Sequence, residues 1–164
     1  MNIFVLDTDP FKAAEYQCDK HVVKMVLETA QLLCSAHETA PYKRTHYNHP
    51  CAIWTRSSLS NYNWLVKHGL GLAREYTLRY NKPHKSAEVI EWADKNKPNI
   101  FDLGLLPFAQ AMPDQYKNDD PVIAYRNYYI HDKARLAKWK HGNEPDWFKV
   151  GDATATRIGL TKGV

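Results

Sequence analysis

Proline fixes where the helices of this chain begin. A proline at the first helical position loses no hydrogen bond, because that N–H has no partner inside the helix anyway. Asp9-Pro10, Asn48-His49-Pro50 and Asp120-Pro121 all have this form. After Asp9-Pro10, apolar residues recur at three- and four-residue steps: Phe11, Ala14, Cys18, Val22, Met25, Leu32 and Ala36. The spacing predicts one long helix over 10–38, ended by Pro41. The second start predicts a helix from Pro50 to about Asn81, with Ile53, Trp54, Leu65, Leu72 and Tyr76 inward. Gly69 and Gly71 are expected to weaken or kink its middle. Ser86 caps a short helix through Trp92, and residues 97–119, with their prolines, read as a long ordered loop. The third start opens a last helix that Gly142 closes after Lys140-His141. The pattern predicts an all-α fold: one compact domain of three to four main helices, with an N-terminal arm over 1–9 and a loose tail over 150–164. Ile3-Phe4-Val5-Leu6 has the character of a short strand, but no partner for it is evident.

Charge narrows the partners. A chain of 164 residues with net charge +4 and a pI near 8.9 can bury a proper core and favours an anionic partner, nucleic acid first. No apolar run approaches the ~20 residues that a membrane span needs. The start of the chain lacks the basic flank of a signal peptide. Three cysteines, an odd number, point to reduced thiols and a cytoplasmic setting.

One stripe of the first helix carries Asp19, His21, Lys24, Glu28 and Gln31. His21 and Glu28 lie seven residues apart, two helical turns, so their side chains share a face. A carboxylate set among these polar groups on an amphipathic helix reads as a site. Metal binding is the competing reading, because Cys18-x-x-His21 and Cys34-x-x-His37 have zinc-ligand spacing and His46-x-x-His49 follows. No glycine or proline supplies a turn between residues 18 and 37. On a continuous helix the two pairs stand roughly 24 Å apart, so they cannot share an ion. Cys18 and Cys34 are then small core residues, and no metal is expected.

A second signal lies late in the chain. Tyr125, Arg126, Tyr128, Tyr129, Lys133, Arg135, Lys138, Trp139 and Lys140 interleave rings with cations, and Pro145-Asp-Trp147-Phe148-Lys149 follows. Tyr125, Tyr128, Tyr129, Leu136 and Trp139 can line a buried side while the cations look outward. Such a mixture suits nucleic acid, since bases stack on rings and cations neutralise phosphates. It equally suits a well-packed helix with a basic face, and Lys43, Arg44, His46 and His49 can be no more than a polar loop.

Together these residues resemble the pyrimidine-dimer DNA glycosylases of the phage endonuclease V type. Asp19-Lys20-His21 is followed by Glu28 at the family's spacing. Lys133-Ala-Arg135-Leu136 and then Pro145-x-Trp147-Phe148-Lys149 are similar to the family's late helix and its Pro-x-Trp-Tyr-Lys. Asn48-His49-Pro50 with Trp54 is similar to a stretch of bacterial relatives, and the likeness covers most of residues 14–150. The resemblance implies a compact all-helical domain, from a phage or bacterium, that kinks duplex DNA and flips a nucleotide out. It implies no cofactor and a monomer.

The chemistry implied is covalent. An unprotonated α-amine, of Met1 or of Asn2 once Met1 is removed, attacks C1′ of the damaged nucleotide and forms a Schiff base; the strand then breaks by β-elimination. An α-amine titrates near ~7.7–8.0, so part of it is nucleophilic at cellular pH. Glu28 would stabilise the developing sugar cation and shuttle protons. His21 and Lys24 would hold phosphates, Arg135, Lys138 and Lys140 the duplex backbone, and Trp147, Phe148 and Lys149 the lesion side. Gln31, His49 and Arg126 complete the implied DNA-binding set. The chain departs from the family at Leu27 and Gln31, which stand where it carries arginines, at Phe148 for tyrosine, and in a longer N-terminal arm. Two other readings use the same residues: a base-modifying transferase on DNA with Glu28 in its pocket, and a non-enzymatic module that binds a nucleotide or small anion through His21, Lys24, Arg126 and Arg135.

Overall fold

A computed structural model describes residues 1–149, so the expected loose tail over 150–164 lies outside the described residues. The fold is all-α: among the described residues there are six α-helices and no strand. They are α1 (Pro10–Tyr16), α2 (Asp19–Cys34), α3 (Pro50–Ser57), α4 (Leu59–Tyr80), α5 (Ala87–Lys95) and α6 (Pro121–Tyr128). The three proline starts hold. Asp9 accepts the N–H groups of Phe11 and Lys12, His49 accepts that of Cys51, and Asp120 accepts that of Val122, which satisfies the orphan donors of a first turn.

Both long predicted helices break in two, and each break is made by residues far away in sequence. The first falls at Gln17 and Cys18, which are extended. Arg79 of α4, 2% exposed, donates from Nη1 to the Gln17 carbonyl at 2.7 Å and from Nη2 to the Glu15 carbonyl at 3.0 Å. Those carbonyls belong to the end of α1, and without the guanidinium they would be buried acceptors lacking partners. Glu75 and Asp19 balance its charge, at 2.9 and 3.2 Å. The second break falls at extended Ser58. Asp102 Oδ1 accepts the Ser60 N–H at 3.1 Å and the Ser60 hydroxyl at 2.6 Å, and the Leu59 N–H donates to the Phe101 carbonyl at 3.0 Å. A loop residue 42 positions on therefore caps α4.

Three other expectations are corrected. Gly69 and Gly71 do not interrupt α4, which is continuous through them and packs against α1, α2, α3 and α5. A Cβ on Gly69 would stand 2.9 Å from Thr29 Cγ2 and 3.0 Å from Ile90 Cδ1, and one on Gly71 would stand 3.0 Å from Ala14 Cβ. The glycines let helices approach closely. The last helix does not reach Gly142: α6 passes into a π-helical turn, Tyr129–Lys133, and ends. The chain then folds back because the Asp19 N–H donates to the Lys138 carbonyl at 2.8 Å, and Asp19 Oδ2 accepts the Lys140 N–H at 2.8 Å. The short helix α5 extends past Trp92 to Lys95, and Ser86 gives it no side-chain cap; the Ser86 hydroxyl meets Tyr42 instead.

The middle of the arm is buried. Ile3, Phe4, Val5 and Leu6 are at most 5% exposed. Side chains, not a neighbouring strand, satisfy this thread. Gln17 Nε2 donates to the Ile3 carbonyl at 2.9 Å, Arg126 Nε to the Leu6 carbonyl at 2.9 Å, and Trp64 Nε1 to the Thr8 carbonyl at 2.8 Å. Asn2 Oδ1 accepts the Ile3 N–H, and Asn2 Nδ2 donates to the Ala111 carbonyl of the long loop. Phe4 takes a left-handed conformation, φ 59°.

Candidate functional site

The thread delivers the chain's first residue to the middle of α2. The Met1 amine nitrogen lies 3.4 Å from Glu28 Oε1. The Met1 side chain is 2% exposed although the residue as a whole is half-buried, so its accessible atoms are those of the backbone and amine. Glu28 itself is 7% exposed. Its second oxygen, Oε2, is buried and accepts no hydrogen bond; the nearest cation is Lys24 Nζ at 3.6 Å, one helical turn back. A buried carboxylate oxygen without a donor is uncommon in folded proteins and marks a place where a ligand can complete the shell.

Around this pair opens a cleft of about 300 Å³ lined by Met1, Lys24, Leu27, Glu28, Gln31 and His46. The predicted stripe thus divides. Lys24, Glu28 and Gln31 share the cleft. Asp19 turns to Arg79 and the Lys140 backbone, and is a structural residue.

His21, of the same stripe, is 7% exposed and does not line the cleft. Its ring stacks on Phe4 with centroids 4.2 Å apart, and its Nδ1 shares a hydrogen bond of 2.5 Å with the Tyr129 hydroxyl. Burial, and then Lys133 and Lys24, hold its pKa at about 3. His21 is therefore neutral at cellular pH. His49 lies within electrostatic reach of the amine. Its Nδ1 accepts the Cys51 N–H at 3.1 Å, so a neutral His49 carries its proton on Nε2. Burial lowers its pKa first; the positive Met1 amine and His46 lower it further, while Glu28 opposes them. Cys51, fully buried beneath, is pushed up to about 12 by burial and takes no part as a thiolate.

The remaining expected contacts are placed elsewhere. Arg126 braces the arm: besides holding Leu6 it pairs with Asp7 at 3.2 Å and lies over the Tyr16 and Trp147 rings. Phe148 is buried, 4% exposed, against Trp139. Trp147 packs edge-on to Tyr16 and Tyr129 and lines a separate cleft with Glu15, Glu75, Glu144 and Asp146. With Glu75 already paired to Arg79, the carboxylates of Glu15, Glu144 and Asp146 leave that wall negative. Neither ring lines the Glu28 cleft. Arg135, Lys138, Lys140 and Lys149 are exposed, with Lys140 Nζ 4.8 Å from the Tyr80 ring. Among the described residues, no group of three or more His, Cys, Asp or Glu side chains is arranged to hold a metal ion. No described helix is long and apolar enough to cross a membrane.

Two residues of the site were not singled out from sequence. His46, which lines the cleft, appeared only within a polar loop and a His-x-x-His spacing; its signal was that repeat with His49. Tyr129, the partner of His21, is 108 positions away and nothing in the local pattern distinguishes it from the other tyrosines.

A family model described as pyrimidine dimer DNA glycosylase matches residues 1–88, more than half of the chain. That span carries every residue lining the Glu28 cleft. Comparisons with curated proteins and with solved structures gave no match.

Proposed function

The chain belongs to the pyrimidine dimer DNA glycosylase family, and from that premise we propose that it is a DNA N-glycosylase with an associated abasic-site lyase step, acting on a damaged or modified pyrimidine. The observation that carries this reading is the 3.4 Å approach of the Met1 amine to Glu28 Oε1. Attack requires a neutral amine, and Glu28 is the acceptor within reach of its proton. The amine nitrogen bonds to C1′ as the C1′–base bond breaks, and the base leaves with the bonding pair and takes up a proton. The sugar ring opens to an imine between C1′ and the amine. Glu28 then removes a C2′ proton, the C3′–O bond breaks, and the strand parts. Water hydrolyses the imine and frees the amine.

The duplex supplies the charge that the site meets. Lys24 and the exposed Arg135, Lys138, Lys140 and Lys149 contact phosphates, Gln31 offers a neutral group in the cleft, and His21 and His49 add contacts beyond its lining. Removal of Met1 would leave the amine on Asn2, whose side chain is already committed to Ile3 and Ala111; an intact mass shows which residue carries it. The test is Glu28→Gln on ultraviolet-irradiated duplex. Strand cleavage is expected to fall at least 10²-fold, the usual size of a lost acid–base group, with duplex affinity kept. Cleavage at the wild-type rate would remove Glu28 from the reaction.

A further inference from the structure

The loop before α3 gathers positive charge without any counter-charge. No aspartate or glutamate occurs between Glu38 and Glu75, yet Lys43, Arg44, His46, His49 and Arg56 fall in this stretch. Arg44 and Arg56 converge on one ring: their guanidinium carbons lie 4.7 and 3.7 Å from the centroid of Tyr47, which is 39% exposed. Each is fixed by a backbone carbonyl. Arg44 Nε donates to Ser35 at 3.3 Å, and Arg56 Nη1 donates to Tyr47 at 2.6 Å. Neither lies within ion-pairing distance of a carboxylate among the described residues.

Two like charges on one ring repel each other, and the ring's attraction for each is small at an exposed site. An anion placed between them reverses the sign of the balance. Arginine suits that anion when it is a phosphate, because its planar fork matches phosphate oxygens and only some of its N–H groups are used here. The position is also informative. His46, next to Tyr47, lines the Glu28 cleft, and α2 itself brings one cation, Lys24, to that cleft.

We propose that Arg44 and Arg56, held on the Tyr47 ring, form a phosphate clamp for the DNA strand that enters the Glu28 cleft. The clamp rests on the glycosylase reading for its ligand, and the cleft's position makes the bound phosphate one flanking the reacting nucleotide.

The test measures affinity against salt for a fluorescent duplex carrying one tetrahydrofuran abasic-site analogue. Each phosphate contact contributes about −0.9 to the slope of log affinity against log salt. In R44Q/R56Q the slope is expected to flatten by about 1 to 2, and in R44K/R56K to stay near wild type. The single R44Q protein, which loses one surface group, should show part of the change, and thermal unfolding of each variant checks the fold. An unchanged slope in R44Q/R56Q overturns the clamp, as does a lysine protein that behaves like the glutamine one. Borohydride trapping on an abasic duplex at saturating protein separates the two readings. Wild type that traps nothing while the slope still flattens upholds the DNA clamp and ends the glycosylase reading. Trapping with an unmoved slope does the reverse.

Discussion

Glu28 is exceptional in this molecule because one of its oxygens stays buried and unbonded beside two amines, while comparable carboxylates such as Glu75 spend theirs on a guanidinium. The α2 stripe made Glu28, Lys24 and Gln31 legible, since three- and four-residue spacing alone puts them on one face. The chemistry of the histidines was not legible, because it is set by burial. His68 of α4 is fully buried; its Nδ1–H donates to the Pro10 carbonyl of α1 at 3.0 Å and its Nε2 meets Gln17 Nε2 at 3.2 Å. Burial holds its pKa at about 4 and that of His21 at about 3. Below about pH 6.5 the unfolded chain takes up protons that the folded chain refuses, so stability falls as pH falls from there toward 4 and then 3. Each such histidine contributes a slope of about 1.4 kcal/mol per pH unit. Denaturant unfolding between pH 7 and 4.5 should show this decline, and H68Q should decline less steeply from a lower start. Equal slopes in the two proteins would contradict the assignment.

Among the elements, the helix starts were readable and the helix breaks were not. A capping residue followed by proline is a local signal, and α1, α3 and α6 begin where it stands. The breaks at Gln17 and Ser58 depend on Arg79 and Asp102, which local propensity cannot see. The glycines of α4 illustrate the same limit. Read alone, Gly69 weakens a helix by up to about 1 kcal/mol relative to alanine. In its setting a Cβ would lie 2.9 to 3.1 Å from Thr29 and Ile90, and two of those contacts are Cγ2 atoms tied closely to their backbones. Gly69→Ala is therefore expected to destabilise by about 1 to 3 kcal/mol, measured as the shift in urea midpoint at constant slope. A more stable Gly69→Ala protein would show that helix propensity outweighs the close approach of α2 and α5 to α4.

For the molecule as a whole, the decisive feature is a buried N-terminal thread. From sequence, Ile3 to Leu6 reads as a strand without a partner; in the fold it is part of the core, its carbonyls satisfied by Gln17 and Arg126. The extra length of the arm is spent crossing that core, and the crossing brings the Met1 amine to Glu28. Such a placement joins residues from separate elements through the whole packing, so no local pattern contains it; the family resemblance alone pointed to it. Sodium borohydride reduction of a mixture of the protein with an abasic-site duplex tests it most directly, followed by peptide mass mapping of any adduct. A one-to-one covalent complex is expected whose sugar remnant maps to the N-terminal residue, and which is lost when residues are added before it. An adduct on Lys24, or none at all, would contradict it.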